Sequence, residues 1–307
     1  MPKESIPMIT ALVCTRNRGS SIVATVLSIL ANLHPKFEVI VVDQSTNEET
    51  ASAIAPLLID PRLRYLRQSG QGAGRARNRG ITEANSEIVV MTDDDCIVPT
   101  NWLETMEAIF TSHPTVAIAF SNVNPAPHDS STGFIPAYQR SGSTLVRSSI
   151  EKCKARGIGA SNAIRRKVIT ELGGFDELMG LGARFPSCDD SDIAVRAILL
   201  GYAVYETNAV AVEHAGFRTW EEGRSLARRN WIAIGASNAK PLKCGHWRFA
   251  VVPAYQLYRF AIWPPLWDTI CLRRPHGIGR MTAFVSGFVQ GWRISVDPNN
   301  LLFRPVL

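Results

Sequence analysis

The chain has 307 residues, of which 46% are hydrophobic and 20% charged, with no low-complexity tract or internal repeat. This composition excludes a disordered or fibrous protein, and the length predicts one large domain or one domain with an appendage. The six cysteines have no CxxC pair or zinc-like spacing, which favours buried or free thiols in a reducing cytosol over disulfides. The N-terminus lacks the apolar core and cleavage site of a signal peptide, so we expect a cytoplasmic protein.

The net charge of +6 is unevenly distributed along the chain. From Ala215 onward there are 13 Lys and Arg against four Asp and Glu, a net charge of +9, whereas the first 214 residues carry −3. Six of the seven tryptophans also lie beyond Ala215. Because charge and aromatic content change together, we predict a different surface or partner for this last part.

Apolar runs alternate with helical patterns in the first 120 residues. The runs lie at 8–14, 37–43, 63–68, 87–93 and 116–122. Near-continuous apolar runs that alternate with amphipathic helices are typical of a parallel sheet covered on both faces. This half of the chain is therefore predicted to be α/β.

The second half is less regular. Residues 124–157 are rich in Pro, Ser and Gly, and a connection of that length is usually functional or disordered. A strand, a helix and a Gly-rich loop at 173–187 follow, and this loop is long enough to reach over a substrate. The next helix begins with carboxylates in "DDSDIAVRAILLGY", and apolar stretches lie at 249–271 and 281–292.

Carboxylates collect where predicted strands end. Asp43 ends the second apolar run, and Asp93, Asp94 and Asp95 follow the fourth. Ligands of open α/β sheets bind outside the carboxyl ends of the strands, so we expect these side chains in one crevice. Three adjacent carboxylates are tolerated when a divalent cation neutralises them and substrate phosphates complete its shell. The alternative is a helix N-cap followed by two solvated acids.

The stretch "GQGAGRARNRG" at 70–80 does not have the glycine spacing of a dinucleotide-binding fingerprint. It predicts a flexible loop entering a helix, with Arg75, Arg77 and Arg79 close to the helix N-terminus. Arginines at that position suit an anionic ligand, and they make a nucleotide diphosphate plausible.

A second acidic group, Asp189, Asp190 and Asp192, lies at a predicted helix start. The helix dipole alone would favour such acids. A carboxylate in this position is also able to take a proton from an attacking hydroxyl. His214, at the end of "AVAVEH", is a candidate metal ligand by residue type, with a structural role as the alternative.

Seven motifs together resemble those of family 2 glycosyltransferases of the GT-A type, over roughly residues 8–215. In chain order they are "VCTRNR", "VVDQST", "GAGRARNRGI", "MTDDDCIVPTNWLE", "IGASNAIRR", "LGGFDE" and "DDSDIAVRAILLGY". The resemblance implies a mixed, mainly parallel sheet flanked by helices. It also implies a nucleotide-sugar donor, a divalent metal, Mn²⁺ or Mg²⁺, and inversion at the anomeric centre.

The resemblance further implies roles for single residues. The nucleotide contacts would come from Thr15, Arg16, Asn17, Asp43, Arg77, Asn78 and Asp94, with Asp43 hydrogen-bonded to the base. The metal ligands of the DxD-type motif would be Asp93 and Asp95, with Asp95 as the direct ligand and His214 as a third. Asp190 matches the catalytic base, and Asp189 stands on the acceptor side where the family usually has Glu.

These observations predict an inverting glycosyltransferase of the hexosyltransferase type, in polysaccharide or glycolipid biosynthesis. It would move a sugar from a nucleotide-diphosphate donor, with UDP-sugars favoured, to a hydroxyl of a glycan or lipid-linked acceptor. A nucleotidyltransferase acting on sugar phosphates and a non-catalytic nucleotide-sugar-binding protein are the alternatives. We expect no nucleic-acid binding, because the C-terminal arginines are spread among apolar residues.

The predicted domains are a catalytic domain at 1–215 and a helical, aromatic-rich extension at 216–307. The catalytic domain would have a nucleotide-sugar half at about 1–123 and an acceptor half at about 158–215. The apolar stretch at 249–271 is interrupted by Arg259 and Asp268, which argues against a transmembrane span. Its Trp, Tyr and Arg suit the headgroup layer, so peripheral docking on an anionic membrane at the cytoplasmic face is predicted. The alternative is packing against the catalytic domain or a second subunit.

Overall fold

The computed structural model of the protein describes residues 9–304, in which helices surround a central sheet. The strands are β1 (Ile9–Thr15), β2 (Phe37–Asp43), β3 (Leu63–Arg67), β4 (Ile88–Asp93), β5 (Cys96–Ile97), β6 (Val116–Pro125), β7 (Gly133–Phe134), β8 (Thr144–Val146), β9 (Ser161–Arg165), β10 (Ala203–His214) and β11 (Arg218–Thr219). The helices are α1 (Ile22–Leu30), α2 (Glu49–Ile54), α3 (Ala73–Glu83), α4 (Trp102–Ser112), α5 (Ser149–Lys152), α6 (Arg166–Glu171), α7 (Asp189–Leu199), α8 (Trp220–Lys243), α9 (Val251–Leu257), α10 (Trp263–Ile270) and α11 (Ile278–Arg293).

The central sheet has the strand order β3-β2-β1-β4-β9-β6-β10-β5, with β8 also paired to β10. Strands β1 to β4 run parallel to one another, as do β6 and β10. Strand β9 is antiparallel to both of its neighbours, β4 and β6. The prediction of a mixed, mainly parallel sheet flanked by helices is therefore confirmed, and the five predicted apolar runs form β1, β2, β3, β4 and β6.

Helices cover both faces of the sheet because alternate strand residues point to opposite sides. In β1, Ile9, Ala11 and Val13 pack in one core cluster with the apolar sides of α1 and α4. Leu12 points the other way and packs with residues of α3, α6 and α7. The carboxyl ends of β1 and β4 remain uncovered by either helical layer, and the candidate site lies there.

The segment predicted to be irregular, 124–157, is mostly loop in the structure. It contains two short strands and one short helix that attach it to the rest of the chain. Strand β7 pairs with β11, and β8 pairs with β10. These pairings attach the segment to the start of β10 and to the short strand that follows β10.

The C-terminal part is helical, as predicted, and its longest helix is α8. A capping box between Thr219 and Glu222 starts this helix. Helix α11 packs closely along α8 at glycines: a methyl group on Gly235 would overlap the Phe284 carbonyl, and one on Gly287 the Ile232 carbonyl. Among residues 9–304, no helix combines the length and apolarity needed to cross a bilayer. The domain boundary near residue 215 stays a prediction.

A buried ion cluster joins α8 to residues that precede position 215 in the chain. Lys240 has no exposed surface, and its ammonium lies 2.6 Å from both Asp176 Oδ2 and Asp192 Oδ1. Arg196 Nε also contacts Asp192, at 3.0 Å, and the Phe303 N–H donates to Asp176 at 2.9 Å. The Leu178 N–H also donates to Asp176 and the Ser237 hydroxyl to Asp192, so each carboxylate has three partners, as burial of a charge requires.

We expect Lys240→Met to lower the free energy of unfolding by about 3–5 kcal/mol, because it leaves two buried carboxylates without their shared cation. Urea denaturation followed by circular dichroism measures the change. The matched control is Lys167→Met at an exposed position, for which we expect a change within about 0.5 kcal/mol. Equal stability of the two variants would contradict a stabilising role for the cluster.

Candidate functional site

A cavity of about 500 Å³ opens at the carboxyl ends of β1 and β4. Its walls come from these strand ends, the first turns of α3 and α7, and the start of α8. The Gly-rich loop at 173–187 adds Leu181, Gly182, Pro186 and Ser187 to its lining, and its contact with a substrate stays a prediction. The cavity is concave and contains many ionisable groups, as expected of a site for a charged ligand.

His214 reaches the aspartate triplet through a strand pairing. Strand β10 runs antiparallel to β5, with His214 opposite Cys96, and the Ala215 N–H donates to the Asp95 carbonyl at 2.9 Å. This register puts His214 Nε2 3.2 Å from Asp95 Oδ1, while Nδ1 lies 2.8 Å from the Pro136 carbonyl. Burial alone would lower the pKa of His214, but these two partners raise it above its usual value.

Arg18 neutralises two of the three adjacent carboxylates. Its guanidinium lies 2.9 Å from Asp94 Oδ1 and 2.9 Å from Asp95 Oδ2. Burial raises the pKa of Asp94 to about 6 in spite of this pairing. Burial would also raise the pKa of Asp95, but the hydrogen bond from His214 and the charge of Arg18 lower it. The pKa values of these adjacent carboxyls therefore shift in opposite directions because their partners differ.

The residues around Asp95 fit a divalent cation. Ligand atoms of Asp95, Cys96 and His214 all lie within 4.8 Å of one another. Carboxylate oxygen and imidazole nitrogen are donors that suit Mn²⁺. The Cys96 thiol is a poor ligand here, because burial raises its pKa far above the usual value and keeps it protonated. Asp93 lines the same cavity, with its Oδ1 3.8 Å from the Arg77 guanidinium.

Arg77 connects the aspartate triplet to the second acidic group. The guanidinium contacts Asp93 on one side and forms an ion pair with Asp189 on the other. Asp189 is thus held by Arg77, whereas Asp190 lines the cavity and accepts a hydrogen bond from the Ser191 N–H at 2.7 Å. Asp192, the third acid of this group, points into the buried ion cluster instead.

A second, more open cavity of about 560 Å³ adjoins the first and shares Arg16, Gln44 and Gln71 with it. Arg16 donates to Gln71 Oε1 at 2.7 Å. Thr15 lines the first cavity. Its buried hydroxyl lies close enough to Asp94 to lower the pKa of that carboxyl, although the two groups do not have the geometry of a full hydrogen bond.

Three of the residues predicted to contact the nucleotide lie outside the lining of both cavities. Asp43 is fully buried and accepts hydrogen bonds from the Ser45 N–H and hydroxyl and from Tyr65. Asn17 accepts from the Thr46 N–H at 2.9 Å and so holds together the loops after β1 and β2. The Asn78 amide donates to the Phe175 carbonyl and accepts from the Phe175 N–H. These three side chains shape the loops around the cavities, and their contact with a nucleotide stays a prediction.

Helix α8 and the strand before it supply cavity residues that sequence reasoning missed. The lining residues from this part of the chain are Arg218, Leu226, Arg229 and Asn230, in the same cavity as Asp190 and the aspartate triplet. The excess of basic residues after Ala215 was the available signal, but it indicated a membrane partner and not a cavity wall. Arg18 was missed as well, although it belongs to the same "CTRNR" motif as Arg16.

Comparison with known proteins identifies related sequences. The family model described as Glycosyl transferase family 2 matches residues 10–173. The chain is 33% identical to the glycosyltransferase GlyG of Streptococcus pneumoniae over 101 residues, 32% of this chain and 34% of GlyG. It is 24% identical over 206 residues to a glucosyl-dolichyl phosphate glucuronosyltransferase of Haloferax volcanii, 61% of this chain and 62% of that protein. The chain thus spans about a third of the first relative and less than two thirds of the second.

Solved structures share the fold at low sequence identity. The mannosyltransferase PcManGT of Pyrobaculum calidifontis, in complex with GDP-Man and Mn²⁺, has a TM-score of 0.62 and 19% identity, covering 94% of this chain and 88% of that one. TarS of S. aureus in complex with UDP-GlcNAc has a TM-score of 0.61 and 15% identity, covering 92% and 81%. These likenesses show the fold, which is of the GT-A type.

Proposed function

Because the chain belongs to glycosyl transferase family 2, and is therefore a glycosyltransferase, we propose that it moves a sugar from a nucleotide-diphosphate donor to an acceptor hydroxyl with inversion. One observation carries this proposal: Asp190 lies in the same cavity as Asp93–Asp95 and His214. The cavity would thus hold both a base for the acceptor hydroxyl and a charged site for the donor diphosphate.

The donor would lie across the two adjoining cavities. We place the nucleoside in the open cavity lined by Gln44 and Gln68, and the diphosphate beside Arg77 and the positive end of α3. UDP-sugars are the first donors to test and GDP-sugars the second, since PcManGT binds GDP-Man and TarS binds UDP-GlcNAc.

A divalent cation would be held by Asp95 and His214, with Asp93 nearby. The cavity is lined by five aspartates and five arginines, so its fixed charges nearly cancel. A donor diphosphate brings about two further negative charges, and a divalent ion bound to carboxylates and substrate phosphates offsets them. When bound, the ion supplies electrostatic and Lewis-acid stabilisation of the departing diphosphate.

The chain's own residues would perform the proton transfer and the orientation of the substrates. Asp190 takes the proton of the acceptor hydroxyl while that oxygen bonds to the anomeric carbon, and the bond from this carbon to the diphosphate oxygen breaks. Attack from the face opposite the leaving group inverts the anomeric centre. Asp189, held by Arg77, would position the acceptor side. Arg229 would stabilise the charge that the nucleoside diphosphate gains as it leaves.

We further propose a glycan or lipid-linked acceptor and peripheral attachment to the cytoplasmic face of a membrane. The similarity to a glucosyl-dolichyl phosphate glucuronosyltransferase supports the lipid-linked alternative, since that relative's name specifies a lipid phosphate. A screen of nucleotide sugars for metal-dependent transfer to extracted lipid-linked glycans tests the function as a whole.

Removal of the metal should abolish activity. We expect EDTA to stop transfer and added Mn²⁺ or Mg²⁺ to restore it. Asp95→Asn should weaken Mn²⁺ binding, measured by calorimetry, by about tenfold or more, since it replaces a direct ligand. The control, Asp129→Asn, changes an exposed carboxylate remote from the cavity lining and should bind Mn²⁺ normally. Full turnover in EDTA would contradict the metal assignment.

Asp190→Asn preserves the shape of the side chain but removes proton acceptance. We expect turnover to fall at least about a hundredfold while UDP binding is retained. Measurements of kcat and of UDP affinity separate the two effects. The comparison is Asp189→Asn at the neighbouring residue. If Asp189→Asn abolishes turnover while Asp190→Asn leaves it nearly unchanged, the base is Asp189.

Arg229→Gln should weaken binding of UDP by about three- to tenfold, because a charge-assisted hydrogen bond in a partly exposed position is lost. Calorimetry with UDP and Mn²⁺ measures this without knowledge of the acceptor. Arg224→Gln, on the same helix but outside the cavity lining, is the matched control and should bind UDP normally. Identical affinities of both variants would remove Arg229 from the site.

A further inference from the structure

We propose that the helical segment 258–272 is a membrane-docking face, which places its apolar side chains in the headgroup layer of an anionic bilayer. This face would carry the peripheral attachment proposed above. The proposal depends only on the exposed surface of this segment, and its test uses no sugar donor. A failure of this proposal can therefore be distinguished from a failure of the proposed transfer reaction.

One side of this segment exposes large apolar residues at helical spacing. The exposed side chains are Tyr258, Ile262, Trp263, Leu266, Trp267, Ile270 and Leu272. Tyr258–Ile262 form a π-helical turn that leads directly into α10. From 258 to 270 the exposed residues follow one another at three, four or one residues, which puts them on one side of these two consecutive elements. Trp267 is 49% exposed, Ile270 61% and Leu272 96%. Soluble monomers rarely expose contiguous apolar surface of this kind without a partner.

The opposite side of the same segment faces the protein. Ala261 is buried with Trp231, Ala283 and Phe284 in a cluster between α8, α11 and this segment. Asp268 is also buried, and it accepts hydrogen bonds from the backbone N–H and the ring of His276. The segment thus packs inward through Ala261, Phe260 and Asp268, while Trp263 and Trp267 are exposed on the other side.

Aromatic rings on the exposed face form a continuous ladder. The ring centroids of Tyr258 and Trp263 lie 6.0 Å apart, and those of Trp263 and Trp267 lie 5.9 Å apart in a stacked arrangement. Trp and Tyr are the residues enriched at the boundary between water and hydrocarbon, because their rings are apolar and their N–H or O–H groups remain hydrated. The composition of this face therefore matches a lipid interface better than a protein core.

The charges beside the face have one sign. Arg259, Arg273 and Arg274 are all exposed around it. From Trp247 to Arg293 the sequence has six arginines and one acid, Asp268, which is buried and paired with His276. Cations near the ends of an amphipathic helix suit the negative potential of an anionic leaflet. In a homodimer formed through this face, the positive charges of the two copies would repel one another. The charge pattern therefore favours a lipid partner over a second copy of the chain.

Packing connects this face to the active site. The segment contacts α11, which lies against α8 at Gly235 and Gly287, and α8 contributes Arg229 and Asn230 to the cavity wall. The docking face and the α8 wall of the cavity therefore belong to one set of packed helices. Docking would bring the cavity close to membrane-bound acceptors.

Vesicle flotation with the full-length protein tests the proposal. Vesicles of pure phosphatidylcholine are compared with vesicles that contain phosphatidylglycerol, at low and high salt. We expect binding to the anionic vesicles that weakens as salt is raised, since exposed charges are screened. Ile270→Glu should weaken this binding by roughly tenfold or more through loss of apolar burial and added repulsion.

The matched control is Ile59→Glu, the same change at a side chain that is 91% exposed in the nucleotide half; it should bind vesicles as the unchanged protein does. Arg273→Gln combined with Arg274→Gln should reduce anionic binding by about 25-fold, since each cation near the surface contributes about fivefold. No flotation with any vesicle, or equal loss in both Glu variants, would overturn the proposal. A lipid-free dimer in sedimentation that Ile270→Glu dissociates would assign the face to a second copy instead.

Discussion

The arrangement of the cavity depends on Lys240, since an ammonium with no exposed surface must be matched by counter-charges. It contacts Asp176, at the start of the loop that covers the cavity, and Asp192, one turn into the helix that presents Asp190. A single side chain from α8 thereby fixes the loop and the helix relative to each other. The region of resemblance ends near residue 215, but these contacts join Lys240 to residues that precede it.

Some features of the structure could be predicted from short stretches of sequence, whereas others depend on contacts between residues far apart in the chain. The strands follow from apolar runs, and the cavity position follows from where β4 ends, because both are properties of adjacent residues. The contact between His214 and Asp95 depends on β5 pairing with β10, more than a hundred residues away, and only the residue type suggested it. The position of Arg229 depends on where α8 crosses the sheet edge, which no local pattern encodes.

Two polar residues of the matched motifs also lie outside the cavity linings, although the resemblance predicts that they contact the nucleotide. Asp43 and Asn78 occur in the matched motifs, yet their hydrogen-bonding groups are used by neighbouring protein atoms. A buried polar group must be satisfied, and short side chains satisfy themselves most easily on nearby backbone. A motif residue can thus be required for the shape of a loop even where it does not touch a ligand, and sequence alone does not separate the two roles.

The close approach of α8 and α11 has a consequence for chimaeric enzymes. Small residues recur every fourth position on α11, at Ala283, Gly287 and Gly291, and each of the two glycines meets α8 backbone. A foreign α11 with larger side chains at these positions would force the pair apart and shift the cavity wall. The C-terminal part should therefore be exchanged between family members with both helices as a matched pair, because replacement of one helix alone would disturb the cavity wall.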